Sequence, residues 1–180
     1  DIDLDEVDQI FFITRNPTMP AVARLSNEQA AAAFMLGESI QTSAGDPDAA
    51  GESIRVVGTN PFIIGPKGEE GNRFYDLIDA NDVETYVINT GYVGSPDVDI
   101  GVEDSVNILV GAARDEIEWD HDERLGLDVP ETVPGVDVEQ FYPPNQFDDY
   151  ETEIEAMREE RREYLAQFET LSEDIKDAVY

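Results

Sequence analysis

Residues 11–29, FFITRNPTMPAVARLSNEQ, place the tightest local constraint on this chain. Phe11-Phe12-Ile13-Thr14 is a short apolar and aromatic run, which predicts a buried strand. Arg15-Asn16-Pro17 ends it. Pro20 fixes its own φ and stiffens a small-residue link, Ala21-Val22-Ala23, and the link presents Arg24. Ser26 is a capping residue, and Gln29 sits where the reciprocal partner of a capping box belongs, so a helix is predicted over 26–37. A strand therefore leads into a stiff turn, the turn displays an arginine, and a helix carries the chain away. An arginine so placed suits an anionic ligand at the carboxyl end of a strand.

Arg24 stands out because cations are scarce. The 180 residues hold 11 Lys+Arg against 42 Asp+Glu, a formal net charge of −31. Composition leaves two readings of Arg24: a structural ion-pair partner, for which carboxylates abound, or an anion contact. The charge also argues against nucleic acid and anionic membranes as partners, since both need a basic patch. Self-repulsion at this net charge opposes folding unless salt screens it. Lys67 and Lys176 are the only lysines, and the acidic residues are spread rather than gathered in a tail. That pattern predicts a halophilic cytoplasmic protein; an ordinary acidic interaction domain is the alternative. Cysteine is absent, no apolar run approaches the ~20 residues of a membrane span, and no leader peptide is visible. The chain begins with Asp, so it is expected to be a piece of a longer one. Hydrophobic content of 41% supports a real core in one domain or a little more.

The fold class read from the pattern is mixed α/β, with several short strands, flanking helices and a long C-terminal helix. Residues 42–53 read as a loop, 54–57 as a strand, 58–61 as a turn and 62–64 as a short apolar run. GPKGEEGNR at 65–73 lacks the Lys-Ser/Thr of a phosphate loop and reads as a loop before a helix at 72–80, with Phe74, Leu77 and Ile78 on one face. Residues 83–89 predict a strand covered on both faces. A glycine-bearing turn, a short strand at 97–102 and a helix at 104–113 follow, the helix burying Val106, Leu109, Val110 and Ala113. Residues 114–145 show little periodicity. Asp120, His121, Asp122 and Glu123 there read as a solvated acidic loop rather than a metal site. A helix at 149–172 carries Ile154, Met157, Tyr164, Phe168 and Leu171 at heptad-like spacing, interrupted by Arg161. It docks on its own domain or self-associates with a second chain. The division is 1–147 for the α/β domain and 148–180 for the C-terminal helix and tail.

PAVARLSNEQAAAAFMLG resembles the proline–arginine–leucine segment and following helix of the ATP-dependent phosphoenolpyruvate carboxykinases. YVINTGYVG is similar to that family's strand and glycine turn, DIGVEDSVNILVGAA to its nucleotide-side strand and helix, and LGLDVPETVPGVD to its proline-rich exit. The order and spacing agree along roughly residues 10–145. The resemblance is to the family's C-terminal part. Its phosphate loop, metal-binding His and Asp, catalytic lysine and oxaloacetate-binding arginine lie upstream of this stretch. The resemblance implies an enzyme that converts oxaloacetate and ATP to phosphoenolpyruvate, carbon dioxide and ADP with Mg²⁺ and Mn²⁺. This chain would close the nucleotide side of the cleft, inactive without its upstream half. Arg24 falls on the family arginine that contacts the transferred phosphate. Ile100 and Ser105 fall on adenine-lining positions. Asp99 falls where the family has an arginine near the adenine, and residues 74–113 hold no Lys or Arg to replace it. The competing reading is an acidic protein-interaction module without catalysis.

Overall fold

A computed structural model describes residues 6–40, 53–55 and 63–180. Residues 1–5, the predicted loop at 42–53 apart from Ser53, Val56-Val57, the turn at 58–61 and Phe62 lie outside the described residues. The elements are β1 (Gln9–Thr14), β2 (Val22–Leu25), α1 (Asn27–Leu36), β3 (Glu38–Ile40), β4 (Ser53–Arg55), α2 (Lys67–Ala80), β5 (Glu84–Asn89), α3 (Val102–Ala113), β6 (Glu118–Asp122), β7 (Leu127–Thr132), α4 (Tyr150–Ala166) and α5 (Glu173–Asp177). One sheet has the order β1-β5-β2-β7-β6, and β3 pairs with β4 in a separate two-stranded ribbon. The class is mixed α/β, as the sequence predicts.

The sheet is built on β5. Its Thr, Tyr, Val and Ile side chains suit a pleated surface, and Thr85–Asn89 are all buried. β1 lies parallel to it and β2 antiparallel. Alternation along these strands sorts two cores. Phe12, Ala23, Leu25 and Val87 join Ala30 and Ala33 of α1, Ile78 of α2 and Tyr150, Ile154 and Met157 of α4. Phe11, Val22, Tyr86 and Ile88 meet Ile108 and Ala112 of α3 together with Ile100, Val133 and Phe141. Both faces of β5 are thus covered, as its continuous apolar pattern predicts.

The predicted start of α1 holds in atomic detail. Ser26 Oγ accepts from the Gln29 N–H at 3.2 Å, and Gln29 Oε1 accepts from the Ser26 N–H at 3.0 Å. Ala30 and Ala33 face the sheet, whereas Ala31, Ala32, Met35 and Leu36 face Leu165, Phe168, Leu171 and Ile175. A helix apolar on all sides is buried on all sides.

Several predicted features differ. The link Ala21-Val22-Ala23 and Arg24 enter strand β2 from Val22 onward, because the β-branched Val22 and the small Ala23 fit between β5 and β7. GPKGEEGNR is not a loop: α2 begins at Lys67. A Cβ on Gly71 would stand 2.7 Å from Met35 Cγ and from Leu171 Cδ1, so the glycine permits the helices to cross closely. On α3 the buried residues are Ile108, Gly111 and Ala112, while Val102, Val106, Leu109 and Val110 are exposed, Val102 by 83%. Leu77 of α2 is likewise exposed. Periodicity marks two apolar stripes on α3, and the small side with Gly111 and Ala112 fits nearer the sheet. The strand expected at 97–102 reduces to a single bridge, Tyr92 with Asp99. Residues 118–132 instead supply a hairpin, β6–β7, whose turn is held by Asp122 Oδ1 accepting from the Arg124 and Leu125 N–H groups.

The long C-terminal helix stops at Gln167, and α5 follows after a turn. Of the predicted row, Ile154 and Met157 are buried on α4, Tyr164 is half-buried, and Phe168 and Leu171 are buried beyond the end of α4, all packed against their own chain. Arg161, which interrupts the row, is 1% exposed. Its Nε and Nη2 donate to Glu38 Oε1 and Oε2 at 2.9 and 3.0 Å, Nη1 donates to the Tyr180 carbonyl, and the guanidinium lies 4.5 Å from the Tyr180 ring centroid. Burial pushes the Glu38 carboxyl up, but the Arg161 charge and hydrogen bonds outweigh it and hold the group below the ordinary range. A carboxyl whose folded pKa is depressed contributes stability that is complete above its unfolded pKa, about 4.3 for Glu, and lost as pH falls through the folded value.

Glu38→Gln leaves the Arg161 charge buried without its counter-charge, so it is expected to cost about 3–5 kcal/mol in urea unfolding at neutral pH. The difference between variant and wild type should shrink as pH drops below about 4. A constant difference down to pH 2 would place the stabilisation elsewhere.

Candidate functional site

Two turns meet at the carboxyl ends of β1 and β5, and one side chain joins them. Asn89 is fully buried. Its Nδ2 donates to the carbonyls of Asn16, Met19 and Tyr92 at 2.9, 3.0 and 3.3 Å, and its Oδ1 accepts from the Gly91 N–H at 3.0 Å. The Gly94 N–H donates to the Pro17 carbonyl, and Tyr150 Oη of α4 donates to the Thr18 carbonyl. Gly94 has φ +68, and a Cβ there would lie 2.6 Å from Gln146 Cβ, so only glycine fits this turn.

Asp99, Ile100 and Ser105 sit together just beyond this junction. The Ile100 N–H donates to the Gly91 carbonyl. The Ile100 side chain is in the core, Ser105 Oγ donates to the Gly101 carbonyl at 3.1 Å, and Asp99 is exposed. An apolar cavity of about 40 Å³ lies between α3, β7, residues 20–22 and residues 133–142. Among the described residues no group of three His, Cys, Asp or Glu side chains is placed to hold a metal ion.

Arg24 is elsewhere. It lies in β2 opposite Tyr86, away from the carboxyl end of β5, and not on a displayed turn. Pairing across the sheet puts Phe11 beside Tyr86, Tyr86 beside Arg24, Arg24 beside Asp128 and Asp128 beside His121. Arg24 Nη2 donates to Asp128 Oδ2 at 2.9 Å, and His121 Nδ1 donates to Asp128 Oδ1 at 3.0 Å. The guanidinium carbon is 5.7 Å from the Trp119 ring centroid, and Trp119 packs on Tyr86 at 5.4 Å. The Arg24 side chain is 40% exposed. Burial raises the Asp128 carboxyl, but hydrogen bonds and charge from Arg24 and His121 outweigh it, and the group stays below the ordinary carboxylate range. Burial first, then the hydrogen bond to Glu84, pushes the Tyr86 hydroxyl far up, so it stays protonated.

The ion-pair reading of Arg24 is thus the one the contacts show. Arg24 is also a half-exposed cation on a central strand. Asp128, Trp119 and Tyr86 escape a reading by sequence because their partnership depends on the register of three strands. The acidic run around His121 marks the spot, but Asp122 is spent on the hairpin turn and on Tyr142 Oη rather than on solvent.

A sequence profile of the phosphoenolpyruvate carboxykinases matches residues 2–139. The chain belongs to this family. Phosphoenolpyruvate carboxykinase (ATP) of Aeropyrum pernix is 33% identical over 175 residues, which cover 95% of this chain and 35% of that protein. The same-named protein of Caldanaerobacter subterraneus is 26% identical over 94% of this chain and 35% of its own length. That of Oceanobacillus iheyensis is 27% identical over 94% and 34%. The chain thus spans about a third of the length of the curated relatives it matches. The family match includes β1, β2, α1, α2, β5, α3 and the hairpin, so Arg24, Asp99, Ile100, Ser105 and Asp128 all lie within it.

The Arg24–Asp128 pair is partly exposed and joins strands already paired through their backbones. Arg24→Ala is expected to change unfolding free energy by less than about 1 kcal/mol in urea titration, with an unchanged slope. A loss of several kcal/mol would make Arg24 chiefly a structural ion-pair partner.

Proposed function

We propose that this chain is the C-terminal, nucleotide-side portion of an ATP-dependent phosphoenolpyruvate carboxykinase. The whole enzyme would convert oxaloacetate and ATP to phosphoenolpyruvate, carbon dioxide and ADP, and Arg24 would contact the phosphoryl group in transit. The observation that carries this reading is Arg24 itself. In a chain with so few cations, one guanidinium stands half-exposed on a central strand, inside the stretch that matches the family. Phosphoryl transfer needs little covalent help from protein; it needs charge placed where the equatorial oxygens develop theirs. A planar, permanently charged fork suits that task.

Most of the remaining machinery is assigned to the upstream part of the enzyme. The glycines at 68 and 71 are packing residues of α2, not a phosphate cradle. The described residues do not fit Mg²⁺ or Mn²⁺, so the metals would be held by the preceding part of the enzyme and no metal-bound step is assigned to this chain. Asp99, Ile100 and Ser105 are assigned to the nucleotide side, where Asp99 is the exposed group. In this reading the isolated chain has no turnover, and its partner is the remainder of the same enzyme. The cell compartment is the cytoplasm, with molar salt balancing the carboxylate-rich surface. The exposed stripe Val102, Val106, Leu109 and Val110 favours a second reading, an acidic interaction module without catalysis.

In the complete enzyme, Arg24→Ala should lower kcat by roughly 10³-fold with folding retained. Wild-type turnover in a folded variant would return Arg24 to a purely structural role. Circular dichroism of this chain should show secondary structure lost in millimolar salt and regained in molar KCl. A signal independent of salt would refute the halophilic reading.

A further inference from the structure

Arg24 uses one edge of its guanidinium and keeps the rest. Nη2 meets Asp128, and among the described residues Nε and Nη1 make no hydrogen bond. The anchor is itself anchored. Asp128 stands directly opposite Arg24 in the β2–β7 pairing and directly opposite His121 in the β6–β7 pairing. One carboxylate oxygen takes Arg24 and the other takes His121. With both oxygens engaged, the carboxylate is held from both sides and its plane is fixed. Trp119 lies under the guanidinium and is backed by Tyr86, which Phe11 stacks upon at 5.0 Å. A long, partly exposed arginine would otherwise sample many rotamers, and in this row it is held at the head, while its backbone lies in a central strand.

We propose that Asp128 is the positioning residue of Arg24. It grips Nη2, with His121 bracing it from the next strand, and turns Nε and Nη1 toward the phosphoryl group. The proposal rests on the reading of Arg24 as the phosphoryl contact. Its chemical logic is that charge stabilisation in a transition state depends on placement, so a donor displaced by about 1 Å costs on the order of 100-fold in rate. Asp128 touches no substrate in this account; it acts through Arg24.

The test is steady-state kinetics of the complete enzyme carrying Asp128→Ala, Asp128→Asn, Arg24→Ala and the Asp128→Ala/Arg24→Ala pair. Asp128→Ala should lower kcat by roughly 10- to 100-fold while KM for ATP moves by less than about threefold. Asp128→Asn keeps an amide oxygen that accepts from Nη2 and should recover most of kcat. The double variant should be no slower than Arg24→Ala alone, because two residues acting as one unit do not add. If Asp128→Ala unfolds, Asp128→Thr replaces it, since Thr favours strands but offers no carboxylate; the same loss of kcat is expected. Wild-type kcat in folded Asp128→Ala or Asp128→Thr, or losses that multiply in the double variant, would overturn the positioning role while leaving Arg24 in place. Wild-type kcat in Arg24→Ala would instead overturn the reading of Arg24 beneath it.

Discussion

The buried amide of Asn89 is the point on which the rest of the arrangement depends. A strand end needs partners for its last backbone groups, and two crossing turns need something to hold them. Asn89 serves both by donating to three carbonyls and accepting one N–H. The first turn then returns the chain as β2 on the other side of β5, so that β5 lies between β1 and β2. The second delivers Asp99, Ile100 and the start of α3. Without that junction neither the strand carrying Arg24 nor the helix beyond Asp99 has a fixed origin.

From there, register does the positioning. β5 fixes β2 by pairing Tyr86 with Arg24, and β2 meets β7 at Arg24 and Asp128. Aromatic and charged residues end in one row because every strand contributes the residue at the same height. The row joins a core and a polar edge: Tyr86 is buried with Ile88 and Ile108, and Arg24 and Asp128 are each partly exposed. A cation held this way is structurally paired and still partly exposed.

What was legible in the sequence was decided locally. Ser26 and Gln29 fix the start of α1 by their own hydrogen bonds, and the apolar run of β5 marks a strand covered on both faces. Carboxykinase membership was legible too, through an ordered set of short matches. What escaped was decided by tertiary contact. Val22-Ala23-Arg24 carries no strand signal strong enough beside Pro20, yet β5 and β7 recruit it. Both stripes of α3 are apolar, and the close fit of Gly111 and Ala112 near Ile117 and Val133 selects the buried one. Gly68 and Gly71 look like loop residues until Leu171 is seen against them. Asp128 reads as an unremarkable acid in LDVPE until the hairpin brings it opposite both Arg24 and His121.

In its proposed role, Arg24 meets the phosphoryl group that ATP carries and ADP lacks. Calorimetric titration of the complete enzyme with MgATP and with MgADP in molar KCl, wild type against Arg24→Ala, tests it most directly. The substitution should weaken ATP binding and leave ADP binding unchanged. Equal effects on both nucleotides, or none on either, would contradict it.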